Sequence, residues 1–101
     1  MITSKQRAYL RSLANRMQPL FQIGKNGVED TFLKQLKEAL EVRELIKIKV
    51  LENSGLAARE TSDKICQAIQ AEGIQAIGNK IVIYKKSTKN PKIEIPEAKI
   101  R

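Results

Sequence analysis

The sequence predicts a single α/β domain in the order α-β-α-β-α-β-β. Three observations carry that expectation. Residues 44–50, Glu-Leu-Ile-Lys-Ile-Lys-Val, alternate apolar and charged with the period-two pattern of a half-buried strand. The stretches 3–17, 28–42 and 56–72 carry apolar residues at helical spacing. At 101 residues the chain has length for one modest core. Aromatic residues are scarce, so that core must be aliphatic.

The first helix spans 3–17. Thr3 or Ser4 can cap it, and Leu10, Leu13, Ala14 and Met17 form its apolar stripe. Pro19 stops it and turns the chain into a short strand, Leu20 to Ile23. Gly24-Lys25-Asn26-Gly27 follows, a Gly-x-x-Gly loop between strand and helix. Such a loop lets backbone N–H groups approach a phosphate without side-chain obstruction, with the next helix's dipole behind it.

The second helix, 28–42, has the stripe Val28, Phe32, Leu33, Leu36 and Leu40. Glu29 and Asp30 in its first turn favour the helix dipole but oppose a strong phosphate cradle. In strand 44–50, Ile46, Ile48 and Val50 face the core, and Lys47 and Lys49 face an open, basic side. Strand, helix and strand at this spacing imply a parallel crossover.

Asn53-Ser54-Gly55 makes a turn into the third helix, 56–72, whose inner face is Ala58, Ile65, Ala68, Ile69 and Leu56. Gly73 suits the left-handed cap after it. Cys66 reads as core filler, since no neighbour would activate its thiol. Strands 74–77 and 81–84 form a hairpin through Gly78-Asn79-Lys80. Residues 1–86 are expected to be the domain and 87–101 a mobile basic tail, with a short docked strand at Ile93–Ile95 as its alternative.

The net charge of +8 is uneven. Residues 1–27 contribute +5 with no acid, 28–73 contribute −2, and 74–101 contribute +5. Excess base at both ends suggests a polyanionic partner, most simply nucleic acid. No apolar run is long enough to span a membrane, and a single cysteine fits a reducing cytoplasm. The sequence has no histidine, and one cysteine makes no zinc site. The glycine loop lacks the Gly-x-x-x-x-Gly-Lys-Ser/Thr pattern of nucleotide-binding loops. An enzyme is therefore not expected, nor a metal, cofactor or small-molecule substrate.

Taken in order, four stretches resemble the stand-alone bacterial CRM-domain proteins of the YhbY family. They are 5–14 (Lys-Gln-Arg-Ala-Tyr-Leu-Arg-Ser-Leu-Ala), 19–27 through Ile-Gly-Lys-Asn-Gly, 44–50, and 75–84 with Gln-Ala-Ile-Gly and Ile-Val-Ile-Tyr. The name abbreviates chloroplast RNA splicing and ribosome maturation. The resemblance covers roughly residues 3–86. It implies a four-stranded mixed sheet packed with helices, similar to the C-terminal domain of bacterial translation initiation factor three, with an added N-terminal helix.

It also implies RNA binding and association with large-subunit ribosomal precursors. The family's loop falls on Gly24, Lys25, Asn26 and Gly27, and its basic first helix on Lys5, Arg7 and Arg11. With Arg16, Lys47 and Lys49 these make the expected RNA-binding set of a monomeric cytoplasmic protein. Scarce aromatics point to backbone recognition rather than base stacking. The rival expectation is a small adaptor docking on a ribosomal protein or acidic partner, its basic ends steering encounter.

Overall fold

A computed structural model of the chain describes residues 2–93. Its elements are α1 (Ser4–Ala14), β1 (Phe21–Ile23), α2 (Asp30–Arg43), β2 (Leu45–Val50), a 3-10 turn (Glu52–Ser54), α3 (Ala58–Ile69), β3 (Glu72–Ile77) and β4 (Lys80–Tyr84). The order and the four-stranded mixed sheet agree with the sequence reading. The strands lie β1-β2-β4-β3, with β1 parallel to β2 and the other two pairs antiparallel.

Strand alternation divides the sheet into two faces. Ile23, Ile46, Ile48, Val50, Ile81 and Ile83 share one of them and are buried under Leu36 and Leu40 of α2 and Ile65 and Ile69 of α3. Phe21 and Phe32 meet edge to face at 5.7 Å at its margin. Both crossover helices therefore lie on this face, their N-termini at the end of the sheet where β1 and β2 finish.

The opposite face was expected to be open, and half of it is not. Leu10 and Ala14 of α1 pack there on Leu45, Ile74, Val82 and Tyr84, forming a second core. Leu45 carries the cause: it is buried on the same face as Lys47 and Lys49 and needs a cover. Helix α1 starts from a capping box, in which Thr3 Oγ1 accepts from the Gln6 N–H at 3.1 Å and Gln6 Oε1 accepts from the Thr3 N–H at 2.9 Å. It ends at Ala14 rather than 17. Leu13 lies off the Leu10–Ala14 line and is 38% exposed, whereas Met17 still packs on the second core.

The third helix is shorter than expected. Ser54 turns the chain, donating to the Leu51 carbonyl at 2.6 Å and accepting from the Leu56 N–H at 3.1 Å, so α3 begins at Ala58. Leu56 and Ala68 are exposed, and Thr61 and Ser62 take buried places instead. Gln70, with φ 58°, is the left-handed cap. Gly73 is a strand residue, and a Cβ there would stand in ordinary contact, 3.5 Å from Ser62 Oγ and 3.8 Å from Cys66 Sγ. Cys66 packs against the core as expected, and burial pushes its thiol up.

Residues 87–93 are anchored, where a mobile tail was expected. Two carboxylates at the end of α2 hold them. Glu41 accepts from the Thr88 N–H and hydroxyl at 3.1 and 3.0 Å, from the Lys89 N–H at 3.1 Å, and from the Ser87 hydroxyl. Glu44, fully buried at φ 66°, accepts from the Ser87, Lys92 and Ile93 N–H groups. Ile93 packs on the second core. Ile95 and the remainder of the expected tail lie outside the described residues.

Candidate functional site

The Gly24–Gly27 loop leaves the carboxyl end of β1, an edge strand, and enters α2. The Gly27 N–H donates to the Gly24 carbonyl at 3.0 Å, closing a tight turn with Lys25 and Asn26 exposed at its tip. Gly27 has φ +67°, which glycine adopts without strain. Gly24 has ordinary backbone, and a Cβ on it would meet Leu51 Cδ1 at a relaxed 3.8 Å. A Cβ on Gly27 would lie 3.9 Å from Leu56 Cδ1, so the loop rests on the β2–α3 connection. Glu29 caps α2 without a side-chain bond and is exposed, as is Asp30. These two carboxylates limit how anionic a ligand the α2 N-terminus itself can hold.

The uncovered half of the second sheet face adjoins this end. Register places Gln22 beside Lys49, Lys49 opposite Lys80, and Lys80 opposite Ile77. One residue from each of the four strands thus forms a row across the sheet. The next row holds Lys47, Val82 and Gln75. Lys47 and Lys49 are half-buried, Lys80 and Gln22 are exposed, and Ile77 is 65% exposed. Neither row contains an acid. Sequence reasoning placed Lys80 in the turn and missed it. The signal that finds it is the strand register, which no local pattern reveals.

The basic residues of the first helix divide. Arg7 Nε donates to the Gly73 carbonyl at 3.0 Å, and its Nη2 lies 3.9 Å from Glu72 Oε1. This side chain ties α1 to β3, the edge strand farthest from the glycine loop. Three strand spacings separate those edges, roughly 14 Å. Arg7 and the loop therefore stand at opposite corners of the sheet. Arg11, one turn on and half-buried, shares the flank of α1 that carries Arg7. Arg7 borders, with Gln75 of the second row, a cleft that wraps the β3 edge to Arg59, Ser62 and Asp63 of α3. Leu13 on the opposite flank, with Met17 beyond the helix, lines a groove with Lys92 and Ile93, so the Arg7–Arg11 flank is the one turned toward the uncovered rows. Lys5 is exposed on the solvent side of α1, and Arg16 is exposed in the turn after it. The structure thus groups Lys25, Asn26, Lys47 and Lys49 at one end, sets Arg11 beside the sheet rows, and leaves Lys5 and Arg16 apart.

Among the described residues no group of His, Cys, Asp and Glu is arranged to hold a metal, and no helix is long and apolar enough to cross a membrane.

Residues 2–85 match the family described as the CRS1 / YhbY (CRM) domain. The chain is similar to the "Probable RNA-binding protein YqeI" of Bacillus subtilis, 45% identical over 96 residues that cover 95% of this chain and 100% of the relative. It is also similar to an "RNA-binding protein" of Haemophilus influenzae, 36% identical over 99 residues covering 94% and 95%. Among solved structures it resembles the solution structure of the hypothetical protein SAV1595 from Staphylococcus aureus, with TM-score 0.75, 42% identity and coverage of 95% and 100%.

Proposed function

The chain belongs to the CRS1 / YhbY (CRM) domain family, and from that premise we propose that it is an RNA-binding protein whose Gly24–Gly27 loop and neighbouring basic surface contact the RNA backbone. The Bacillus and Haemophilus relatives are named for RNA binding and not for a reaction, which supports a binding role over an enzymatic one. We further propose that the RNA is ribosomal, in precursors of the large subunit, and that the protein assists assembly there as a cytoplasmic monomer, with residues 1–86 as the binding domain.

The observation that carries the reading is the acid-free pair of sheet rows next to an exposed Gly-Lys-Asn-Gly turn. Lys25 and Asn26 meet one phosphate at the turn, and Lys47 and Lys49 neutralise the phosphates beside it. Tyr9 is the exposed aromatic ring on α1, and the sheet rows carry none, so bases are not stacked on a platform as in other sheet-based RNA binders. Recognition rests on the backbone and the shape of the RNA.

Ultraviolet crosslinking in cells, followed by sequencing of attached RNA, tests the proposal. Reads concentrated at a few places in precursor large-subunit ribosomal RNA are the expected result. Reads spread over messengers and transfer RNAs would retain RNA binding and remove the ribosomal role. Almost no crosslinked RNA would favour an adaptor that docks on protein.

A further inference from the structure

The Lys49–Lys80 pair is unusual on elementary grounds. The two residues are direct cross-strand partners. The Val50 N–H donates to the Asn79 carbonyl at 2.7 Å, which marks Lys49–Lys80 as the narrow, non-hydrogen-bonded kind of pair. In such pairs the Cα atoms stand about 4.5 Å apart and the side chains leave the sheet side by side. Like charges placed directly opposite destabilise a sheet. Lys47 adds a third ammonium on the same face, diagonal to Lys80 at roughly 7–8 Å. No strand residue of the two rows supplies a compensating carboxylate. The one acid on that face, Glu72, sits at the far end of β3 beside Arg7.

We propose that Lys49 and Lys80 together form a phosphate clamp for an RNA strand that runs from the glycine loop across the sheet to the β3–β4 hairpin. This rests on the RNA-binding reading above and deepens it. It adds Lys80 to the site and carries the contact across the row to the β3–β4 hairpin. Two ammonium groups rising from adjacent strands can straddle one phosphate, which turns their mutual repulsion into attraction for a shared anion. The row begins at Gln22, two residues before Gly24, so a strand held at the loop meets Lys49 next and Lys80 one strand further. Ile77 ends the row, and its exposed aliphatic side chain offers an apolar seat for a ribose or base edge beyond the clamp. Charge complementarity identifies the occupant as polyanionic, and the row's continuity with the loop identifies it as the same RNA.

The test uses the full chain and a mixed-sequence single-stranded RNA oligonucleotide. Affinity is measured across a salt series for wild type, K49Q, K80Q, the double variant and K25E, together with the melting temperature of each free protein. A shared phosphate predicts that K49Q and K80Q each weaken binding but lower the log–log salt slope by less than one phosphate's worth, about 0.7, because the partner lysine remains. The double variant lowers it by that full amount, not twice as much. Free K80Q melts at or above the wild-type temperature, because a like-charge pair has been removed. An unchanged slope and affinity in K80Q, with binding weakened in K25E, would overturn the clamp while leaving the loop reading in place. A slope loss of about 1.4 in the double variant, two phosphates' worth, would overturn the shared phosphate, and a lower melting temperature for K80Q would overturn the repulsion from which it is derived. Salt-independent binding by the wild type would remove both readings.

Discussion

Glu44 and Ile93, 49 residues apart, are joined by a 2.7 Å hydrogen bond from the Ile93 N–H to Glu44 Oε1. The same oxygen accepts from the Lys92 N–H at 2.6 Å, while Oε2 accepts from the Ser87 N–H at 2.9 Å. A buried carboxylate is thus satisfied by the backbone of the segment it holds, and its own N–H closes α2 on the Leu40 carbonyl at 2.8 Å. The end of α2, the start of β2 and the C-terminal segment form one joint.

That joint predicts a stability effect. Glu44→Gln keeps the shape but sets an amide N–H₂ against backbone donors. The expected loss is roughly 1–3 kcal/mol, the usual range for a buried group deprived of its partner. Urea denaturation measures it, and hydrogen exchange of the Lys92 and Ile93 amides should accelerate with it.

The joint also responds to acid. Glu41 is held down to about 2 from an ordinary value of 4.5, first by the Ser87 hydroxyl, then by the Thr88 and Lys89 N–H groups. Burial pushes the Glu44 carboxyl up, but the Ser87, Ile93 and Lys92 N–H groups and the Lys86 charge outweigh it, and the net shift is downward. Both folded values lie below the unfolded ones. Their stabilisation is therefore complete above pH 4.5 and is lost as pH falls through that value toward about 2. Amide shifts of Thr88 and Lys89 should report release of the segment within that window and remain constant from there to neutral pH. Glu41→Gln should flatten the profile.

The two loop glycines should behave differently. Gly27→Asp would bring a carboxylate to the loop, but φ +67° makes any side chain there strained. Gly27→Ala should cost about 1 kcal/mol of stability, in the range for a side chain forced into the left-handed region. Gly24→Ala should be close to neutral. Gly24→Asp is the cleaner probe: it should weaken RNA binding while the melting temperature holds, and Lys25→Ala should weaken binding less.

Arg7 and Arg11 can be separated in the same way. Arg7→Ala removes the bond to Gly73 and the contact with Glu72, and should lower stability by about 1 kcal/mol. Arg11→Ala should leave the melting temperature unchanged and reduce RNA affinity. Equal melting temperatures for the two variants would mean that Arg7 does not fasten α1 to β3.

Local patterns made much of the fold legible. Period two marked β2, helical stripes marked α2 and α3, and the Gly78-Asn79 turn marked the hairpin. What escaped depends on partners distant in sequence. That α1 covers half of the Lys47 face follows from Leu45, Ile74, Val82 and Tyr84 meeting on it, which only strand order reveals. The docking of 87–93 depends on Glu41, expected in the helix, and Glu44, expected at the head of the strand, whose partners lie 43 to 49 residues away in the chain. Gly73 matched a helix cap by position, yet Gln70 takes that role because α3 ends at Ile69 and the chain is already in β3 from Glu72. In the candidate site the loop was visible as a motif and Lys47 and Lys49 as alternation. Lys80 was invisible until β4 lay beside β2.

The central claim is that this surface grips an RNA backbone by charge. The most direct test is the salt dependence of affinity for ribosomal RNA fragments. About five phosphate contacts predict a log–log slope near −4. A slope near zero, with affinity unchanged from low to high salt, would contradict the account.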